Sequence, residues 1–274
     1  MARVLHGAGF ELRLTDRRVR RDLPVKVEVL NLLDRDGVYR VMEDCEAVVH
    51  MGNHPFFPEG GDAQAVYGEN CQMNMNVFQA AKELGLKKVV FISSVQVISG
   101  DRHSREEESK TPPSALKYLP LDSDTPANPK NPYSLSKRAG ENLCEFYLAP
   151  AGIETVVIRL PWTSSPEWWP RLKKFRSDKI RDWTLLDEGF TCLHSEDAAS
   201  LVLAVLKTSL PGYRQYFAAG RSTMTAIPVP ELIERFYKGV ELRKPVGEMT
   251  GLVDTSKITA ETGWAPKFDL GEAL

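Results

Sequence analysis

The chain has 274 residues, of which 42% are apolar and 26% charged, with 35 basic and 37 acidic side chains. This composition excludes a disordered, collagen-like or coiled-coil protein, and the net charge of −2 excludes a global basic field for nucleic acid or an anionic membrane. No apolar run reaches the roughly 20 residues of a membrane span. The four cysteines lack disulfide or metal-ligand spacing. We therefore expect a cytoplasmic protein that binds no metal, membrane or nucleic acid.

From the start of the chain, short β-branched runs alternate with longer segments in which apolar residues recur at helical spacing. The runs are almost continuously apolar, which is typical of parallel strands buried on both faces. Alternation of this kind predicts an α/β fold with a doubly wound parallel sheet. We predict strands over residues 10–16, 25–30, 47–51, 88–94 and 154–160, and helices over residues 38–44, 63–84 and 132–148.

Residues 101–132 interrupt this alternation, because an acidic cluster is followed by six prolines. We predict a long surface loop for this stretch. After residue 161 the elements become shorter, although Ser195 is suited to open a further helix. We therefore divide the chain into a main domain over residues 1–160 and a smaller lobe over residues 161–274, partly interleaved with the sheet.

The stretch that is most suited to chemistry begins at Asn131, which can cap a helix, and Pro132, which fits the first helical position. Tyr133 and Lys137 follow four residues apart, so they share one face of that helix. A tyrosine with an ordinary pKa near ~10 is no base at neutral pH unless a cation favours its phenolate. Lys137 could supply that charge, and the pair could then exchange a proton with a substrate hydroxyl.

The spacing of Tyr133 and Lys137 is weak evidence for a site by itself, but the position of the pair in the predicted fold strengthens it. The predicted strand over residues 88–94 ends in Ser93 and Ser94, and ligands of open α/β sheets bind beyond the carboxyl ends of strands. Ser94 is then placed to hydrogen-bond the oxygen that Tyr133 serves. The alternative is that the two serines only satisfy local backbone groups at the strand end.

Further motifs along the chain follow the order found in one known family. They are residues 47–51 (AVVHM), Glu69-Asn70, residues 92–94 (ISS), Tyr133 to Lys137, residues 158–161 (IRLP), and residues 257–266, which include ETGWAP. Together they resemble the extended short-chain dehydrogenases/reductases, the NAD-dependent epimerase/dehydratase family. The resemblance implies a Rossmann-like fold in which residues 1–160 bind the dinucleotide and residues 161–274 mainly bind the substrate.

The same resemblance implies the roles of the three candidate catalytic residues. Tyr133 would be the acid/base, Lys137 would lower the pKa of Tyr133 and hold the nicotinamide ribose, and Ser94 would orient the substrate. The nicotinamide itself would carry the hydride.

Asp16 ends the first predicted strand, where a dinucleotide fold places the carboxylate that binds the adenosine ribose. Arg17 follows directly, and the guanidinium groups nearby suit the extra phosphate of NADP. Because Asp16 would repel that phosphate, we predict NAD as the cofactor and keep NADP as the alternative. The resemblance implies further cofactor contacts from Asn31, Leu32, Met51, Gly52, Asn70 and Pro161, in addition to Tyr133 and Lys137.

The glycine-rich turn with which this family cradles the pyrophosphate has no counterpart in the sequence. Gly9 lies only seven residues before Asp16, whereas the fingerprint needs about 20 residues with a helix between. We expect the chain to begin near the end of the first helix of the fold and to lack its central strand. This would leave two neighbouring strands with unpaired backbone groups, unless the sheet closes differently.

The region after Pro161 bears on the substrate. Trp162 stands where sugar-nucleotide enzymes often have asparagine, which argues against a diphosphate-linked sugar. Trp168 and Trp169 precede a basic stretch that could bind a sugar and its anionic group, or form a solvated helix with core tryptophans. Two histidines, His54 and His194, are candidates to line the pocket. As substrate-contacting residues we name His54, Ser94, Gln96, Trp162 and Thr163.

The resulting hypothesis is an NAD(P)-dependent oxidoreductase or epimerase that acts on a hydroxyl or carbonyl group of a sugar or sugar nucleotide through Ser94, Tyr133 and Lys137. A sugar-acid dehydrogenase of the uronate type is an alternative, suggested by the sequence around Thr163. Another is a non-catalytic binding or scaffold protein that kept the fold without the phosphate cradle. The resemblance also implies a homodimer formed through the helix that carries Tyr133.

Overall fold

A computed structural model describes residues 1–54, 62–98, 116–176 and 183–271 of the chain. The helices in this part are α1 (Ala2–Gly7), α2 (Arg35–Met42), α3 (Ala63–Glu83), α4 (Pro132–Leu143), α5 (Trp169–Phe175), α6 (Ser195–Lys207), α7 (Val229–Phe236) and α8 (Ser256–Thr262). The strands are β1 (Leu14–Asp16), β2 (Val27–Val29), β3 (Ala47–His50), β4 (Lys88–Ser94), β5 (Tyr118–Leu119), β6 (Glu154–Leu160), β7 (Trp162–Ser164), β8 (Cys192–His194), β9 (Tyr213–Phe217) and β10 (Glu241–Leu242).

The predicted alternation of strands and helices is confirmed. Strands β4 and β6 have the predicted bounds, and α6 begins at Ser195 as predicted. The first predicted strand, over residues 10–16, is wrong in its first half, because only Leu14–Asp16 find partners on β2. The predicted helix over residues 132–148 ends at Leu143 and continues as a π-helical turn over Cys144–Leu148.

Strands β3, β4, β6 and β9 form a four-stranded sheet in that order, and β1 and β2 form a separate parallel pair. Two further parallel pairs join β5 with β10 and β7 with β8. Within the described residues, β1 pairs only with β2 and β3 only with β4, so each keeps one unpaired edge. All strand pairs with a defined register are parallel, which confirms the predicted α/β class.

The chain divides into two compact units, each assembled from separate stretches. The first unit comprises Met1–Ser93, Pro132–Ile158 and Ala199–Gln215, and the second comprises Ser94–Asn131, Arg159–Ala198 and Tyr216–Leu274. The core of the first unit is formed by apolar residues of α2, α3, β4 and β6 and of the turn after α4. The predicted functional boundary at residue 160 is a different division and stays a prediction.

The structure describes residues 116–132 of the predicted surface loop over residues 101–132, and the prediction is wrong for residues 116–125. Leu119 and Leu121 are fully buried in the core of the second unit. Burial is possible because β5 pairs with β10 and Leu121 bridges to Val253, so the backbone polar groups find partners. The acidic cluster lies outside the described residues.

Candidate active site

Lys137 projects from α4 onto the end of β4. Its Nζ donates a hydrogen bond to the Ile92 carbonyl at 2.7 Å and lies 4.9 Å from the centre of the Phe91 ring. The centre of the Tyr133 ring is 5.8 Å from the same nitrogen, as expected for residues one helical turn apart. Lys137 is 3% exposed, whereas Tyr133 is half-buried. The structure therefore brings the predicted phenol and amine together on one face.

A glycine allows α4 to approach β4 this closely. A Cβ atom built on Gly140 would lie 2.5 Å from Cζ of Phe91, whose ring is fully buried and cannot easily move. Any larger residue would push the helix away from the strand. Gly140 therefore fixes the distance at which Lys137 reaches the Ile92 carbonyl.

The charge of Lys137 is only partly compensated. Burial lowers the pKa of its amine to about 7, and the negative charge of Glu141 opposes this shift. The amine therefore releases its proton more easily than an ordinary lysine does. Such a group can respond to the charge of a neighbouring phenol, which an ordinary lysine would not do.

Glu141 is a charged residue of this site that the sequence analysis did not single out. It is completely buried, accepts a hydrogen bond from the Ser93 hydroxyl at 2.7 Å and pairs with Arg138 at 3.1 Å. Ser93 thus binds a carboxylate rather than a local backbone group, contrary to the alternative considered for it. The signal was the spacing of Tyr133, Lys137 and Glu141, which places all three on one helical face.

Asparagines of α3 connect that helix to α4. The Asn70 amide donates to the Ser136 hydroxyl at 3.1 Å, and this hydroxyl donates to the Tyr133 carbonyl at 2.7 Å. The Asn74 side-chain N–H donates to the Ser136 carbonyl at 3.3 Å, and the Asn74 side-chain oxygen accepts a hydrogen bond from Nε2 of the His50 ring at 2.9 Å. Burial, helped by the Lys137 charge, lowers the pKa of His50 to about 4, so this ring is neutral at physiological pH.

His54 is held against the same network. Its backbone N–H donates to the Asn70 side-chain oxygen at 2.6 Å, and its carbonyl accepts from the Asn70 amide. The His54 ring contacts the carboxylate of Glu69, and both side chains are partly exposed. Asn70, predicted to contact the cofactor, thus has partners for its amide within the protein, while His54 retains an accessible ring.

Asp16 lies at the end of β1, as predicted. Its carboxylate accepts the Arg18 backbone N–H at 2.9 Å and remains partly exposed. Arg17 is exposed, while Arg20 is bound by both oxygens of Asp22. One of the nearby guanidinium groups is therefore already neutralised, which favours a ribose hydroxyl over a ribose phosphate beside Asp16.

Four of the other predicted cofactor residues belong to the first unit, and two of them, Leu32 and Gly52, are in contact. Gly52 approaches Leu32 so closely that a Cβ on the glycine would lie 2.4 Å from the leucine Cδ1. Met51 is half-exposed beside them in the chain. Asn31 is exposed, and its side-chain oxygen accepts the Leu33 N–H.

In the second unit, Ser94 accepts the Gln96 backbone N–H at 3.2 Å, and the Gln96 side chain accepts from Asn131 at 3.3 Å. The first bond is the local strand-end contact that was the alternative role for Ser94, although its hydroxyl proton can still be donated elsewhere. Asn131 is thus a partner of Gln96, and α4 begins at Pro132 as predicted.

Around Pro161, the Thr163 hydroxyl donates to the Pro161 carbonyl and Trp162 is 43% exposed. The two later tryptophans differ from each other. Trp168 is exposed and carries Arg171 at 4.7 Å from its ring centre, whereas Trp169 is buried in an aromatic cluster. His194 is buried in that cluster, stacked on Phe268, so its ring packs as a core residue. Part of the basic stretch lies outside the described residues.

The residues present fit part of a dinucleotide. Ile92 uses one of the three N–H donors of Lys137, so the others can bind a ribose hydroxyl, and Asp16 can accept from the second ribose. No described group of three or more histidine, cysteine or acidic side chains could hold a metal ion. All four cysteines are free thiols. None of the helices in the described ranges is long and apolar enough to cross a bilayer.

Comparison with known proteins agrees with this fold. The sequence profile of the NAD dependent epimerase/dehydratase family matches residues 1–216. The chain therefore belongs to this family, which confirms the resemblance seen in the sequence. The family uses NAD, and its relatives are epimerases and dehydrogenases.

Two relatives and one solved structure illustrate the range of the family. A uronate dehydrogenase from Pseudomonas syringae pv. tomato is 32% identical over 146 residues, which cover 52% of this chain and 45% of that protein. The chain thus spans less than half the length of that relative. A GDP-mannose 3,5-epimerase from Arabidopsis thaliana is 25% identical over 86% of this chain and 66% of its own length. A mutant uronate dehydrogenase from Agrobacterium tumefaciens, complexed with NAD, superimposes with a TM-score of 0.64 at 20% identity, covering 97% of this chain and 78% of the other.

Proposed function

We propose that the protein is an NAD-dependent oxidoreductase or epimerase that acts on a hydroxyl or carbonyl group of a sugar or sugar derivative. The observation that carries this proposal is the buried Lys137 amine, bound to the Ile92 carbonyl and facing the Tyr133 ring on one side of α4. Family membership supports the reaction class and the cofactor.

In the proposed reaction, Tyr133 as phenolate takes the proton of the substrate hydroxyl. The Lys137 ammonium stabilises the phenolate and binds the nicotinamide ribose. The nicotinamide of bound NAD would supply the hydride acceptor for the carbon that carries this hydroxyl. Ser94 is assigned the orientation of the substrate oxygen, on the family resemblance of its motif alone.

A sugar acid of the uronate type is the second substrate candidate. It is favoured by the 32% identity to a uronate dehydrogenase and by the exposed Trp162, where sugar-nucleotide enzymes often have asparagine. Incubation with NAD and a panel of uronates, sugar phosphates and sugar nucleotides distinguishes the possibilities. A dehydrogenase reduces one equivalent of NAD per turnover, whereas an epimerase converts the sugar with no net reduction.

Calorimetric titration with NAD and NADP tests whether the chain binds the cofactor that the proposed function requires. We expect NAD to bind more tightly than NADP, because Asp16 would repel the additional phosphate. Binding of neither dinucleotide would overturn the enzyme proposal for this chain and favour the non-catalytic alternative, since the sequence contains no Gly-x-Gly-x-x-Gly turn.

Replacement of the proposed base tests the mechanism. Tyr133→Phe is expected to lower kcat by about a thousandfold while the affinity for NAD changes little, because only the transferred proton is lost. Tyr39→Phe is the matched control: it removes a tyrosine hydroxyl in the same unit, one that donates to Glu83. Retained turnover in Tyr133→Phe, or equal losses in both variants, would contradict the role of Tyr133.

We also propose that the protein forms a homodimer through α3 and α4 and resides in the cytoplasm. The support for the dimer is that three apolar side chains of these elements are exposed: Tyr67 on α3, Leu135 on α4, and Phe146 directly after α4, which is 70% exposed. Analytical ultracentrifugation should show a dimer that Phe146→Ser weakens at least tenfold. Replacement of the exposed Trp168, which lies in the other unit, should leave the dimer intact; cell fractionation tests the location.

A further inference from the structure

Glu141 is the one buried carboxylate on the helical face of Tyr133 and Lys137 within the described part of α4. The three residues are spaced by four, so that each lies one turn from the next. Glu141 has no exposed surface, so its charge acts in a medium of low effective dielectric constant. Its field at Lys137 is therefore much stronger than that of a surface carboxylate.

The position of this carboxylate is tightly defined. One oxygen accepts the Ser93 hydroxyl at 2.7 Å and the other binds Arg138 at 3.1 Å. Ser93 directly follows Ile92, whose carbonyl binds Lys137. Two successive residues of β4 thus bind two successive turns of α4, one at the amine and one at the carboxylate.

We propose that Glu141, anchored by Ser93 and Arg138, is a positioning residue that keeps the Lys137 amine protonated and directed at Tyr133. This inference rests on the proposed function and extends it to the electrostatic control of the site. Glu141 touches neither substrate nor cofactor in this role. It acts only through Lys137, by offsetting the cost of a buried positive charge.

Within the described residues of the first unit, the groups near Lys137 come from α4, β4 and β3. On α4 they are Tyr133 and Glu141. The partly exposed Arg138 binds the Glu141 carboxylate. From β4 the Ile92 carbonyl accepts a hydrogen bond from the amine and the Phe91 ring lies beside it, and from β3 comes His50, which is neutral. Glu141 is thus the negative charge among them, and its removal should make the amine easier to deprotonate.

The test measures Lys137 directly in the ligand-free protein. The protein is labelled with ¹³C at the lysine Cε atoms, and the Lys137 signal, assigned by its loss in Lys137→Gln, is followed against pH. We expect Glu141→Gln to lower the titration midpoint of Lys137 by about one unit. Glu145→Gln, which removes the same charge from a partly exposed position one turn further on, should leave the midpoint unchanged.

A second variant keeps the proposal testable if Glu141→Gln does not fold. Arg138→Gln changes a partly exposed side chain and removes the cation that partly neutralises Glu141, while Ser93 still holds the carboxylate; the full negative charge then acts on Lys137, so its midpoint should rise. In active preparations of each variant, the alkaline limb of the kcat–pH profile should move in the same direction as the Lys137 midpoint of that variant. A midpoint that does not move in either variant overturns the proposal, whether or not NAD binds.

Discussion

Lys137 in the first unit and Asp197 in the second are both buried charges, but their surroundings differ. Asp197 lies in the first turn of α6, and its two oxygens accept the backbone N–H groups of Lys267 and Phe268 at 2.9 and 3.0 Å. Lys137 has one carbonyl acceptor and a pKa lowered to about 7. A negative charge that is bound by backbone N–H groups near a helix N-terminus stabilises the fold. A buried charge whose desolvation is not fully compensated destabilises the fold but is available for chemistry.

The largest effect on stability is expected at Asp197. Asp197→Ala leaves two backbone N–H groups without their charged acceptor and should lower the free energy of unfolding by about 3 kcal/mol. Urea denaturation measures this loss. Glu196→Ala, which removes an exposed acidic side chain from the same helical turn, should cost clearly less. Equal losses in the two variants would show that the buried contacts of Asp197 contribute little.

Lys137→Met should change the free energy of unfolding in the opposite direction and stabilise the protein. An apolar side chain of similar length removes the cost of the buried charge, so we expect the variant to gain about 2 kcal/mol at pH 6 while losing turnover. The gain should shrink as pH rises from about 7 towards the ordinary lysine pKa of 10.5, because the folded parent then releases its proton before the unfolded chain does. Urea denaturation at several pH values decides this, and a variant less stable than its parent at pH 6 would contradict the comparison.

Replacement of Gly140, which lies beside Lys137 in the first unit, should change the free energy of unfolding by a smaller amount. Gly140→Ala should cost about 1 kcal/mol, since the added methyl group meets the Phe91 ring and displaces α4 from β4. Gly68→Ala in α3 is the matched control: no heavy atom lies within 4 Å of its added Cβ, so the gain in helix propensity should stabilise by about 0.5–1 kcal/mol. Thermal unfolding of both variants measures the difference. If both variants were stabilised, Gly140 would not fix the distance between α4 and β4.

The sequence predicted the most regular parts of this protein well. The bounds of β4 and β6 followed from continuous apolar runs, and the start of α4 followed from Pro132 ahead of a helical pattern. The burial of residues 116–125 could not be predicted, because prolines and polar residues are typical of loops. Pairing with β10 and the bridge from Leu121 to Val253, both more than a hundred residues further on, satisfy the backbone of this stretch.

The candidate site was predictable only where its residues share a local pattern. Tyr133 and Lys137 lie on one helical turn, so their proximity follows from spacing alone. The partners of Glu141 and Asn70 come from distant stretches: Ser93 lies 48 residues before Glu141, and Ser136 lies 66 residues after Asn70. No local periodicity reports such contacts.

The order of residues along the chain by itself determined the α/β class, the family and the helical face that carries the phenol and the amine, because hydrophobic period and short motifs act over a few residues. Which charges are buried, and so which of them are held away from their ordinary pKa, was decided only by tertiary structure. The reason is physical: the free energy of a charge depends on the solvent and dipoles that surround it, and folding brings these from remote parts of the chain.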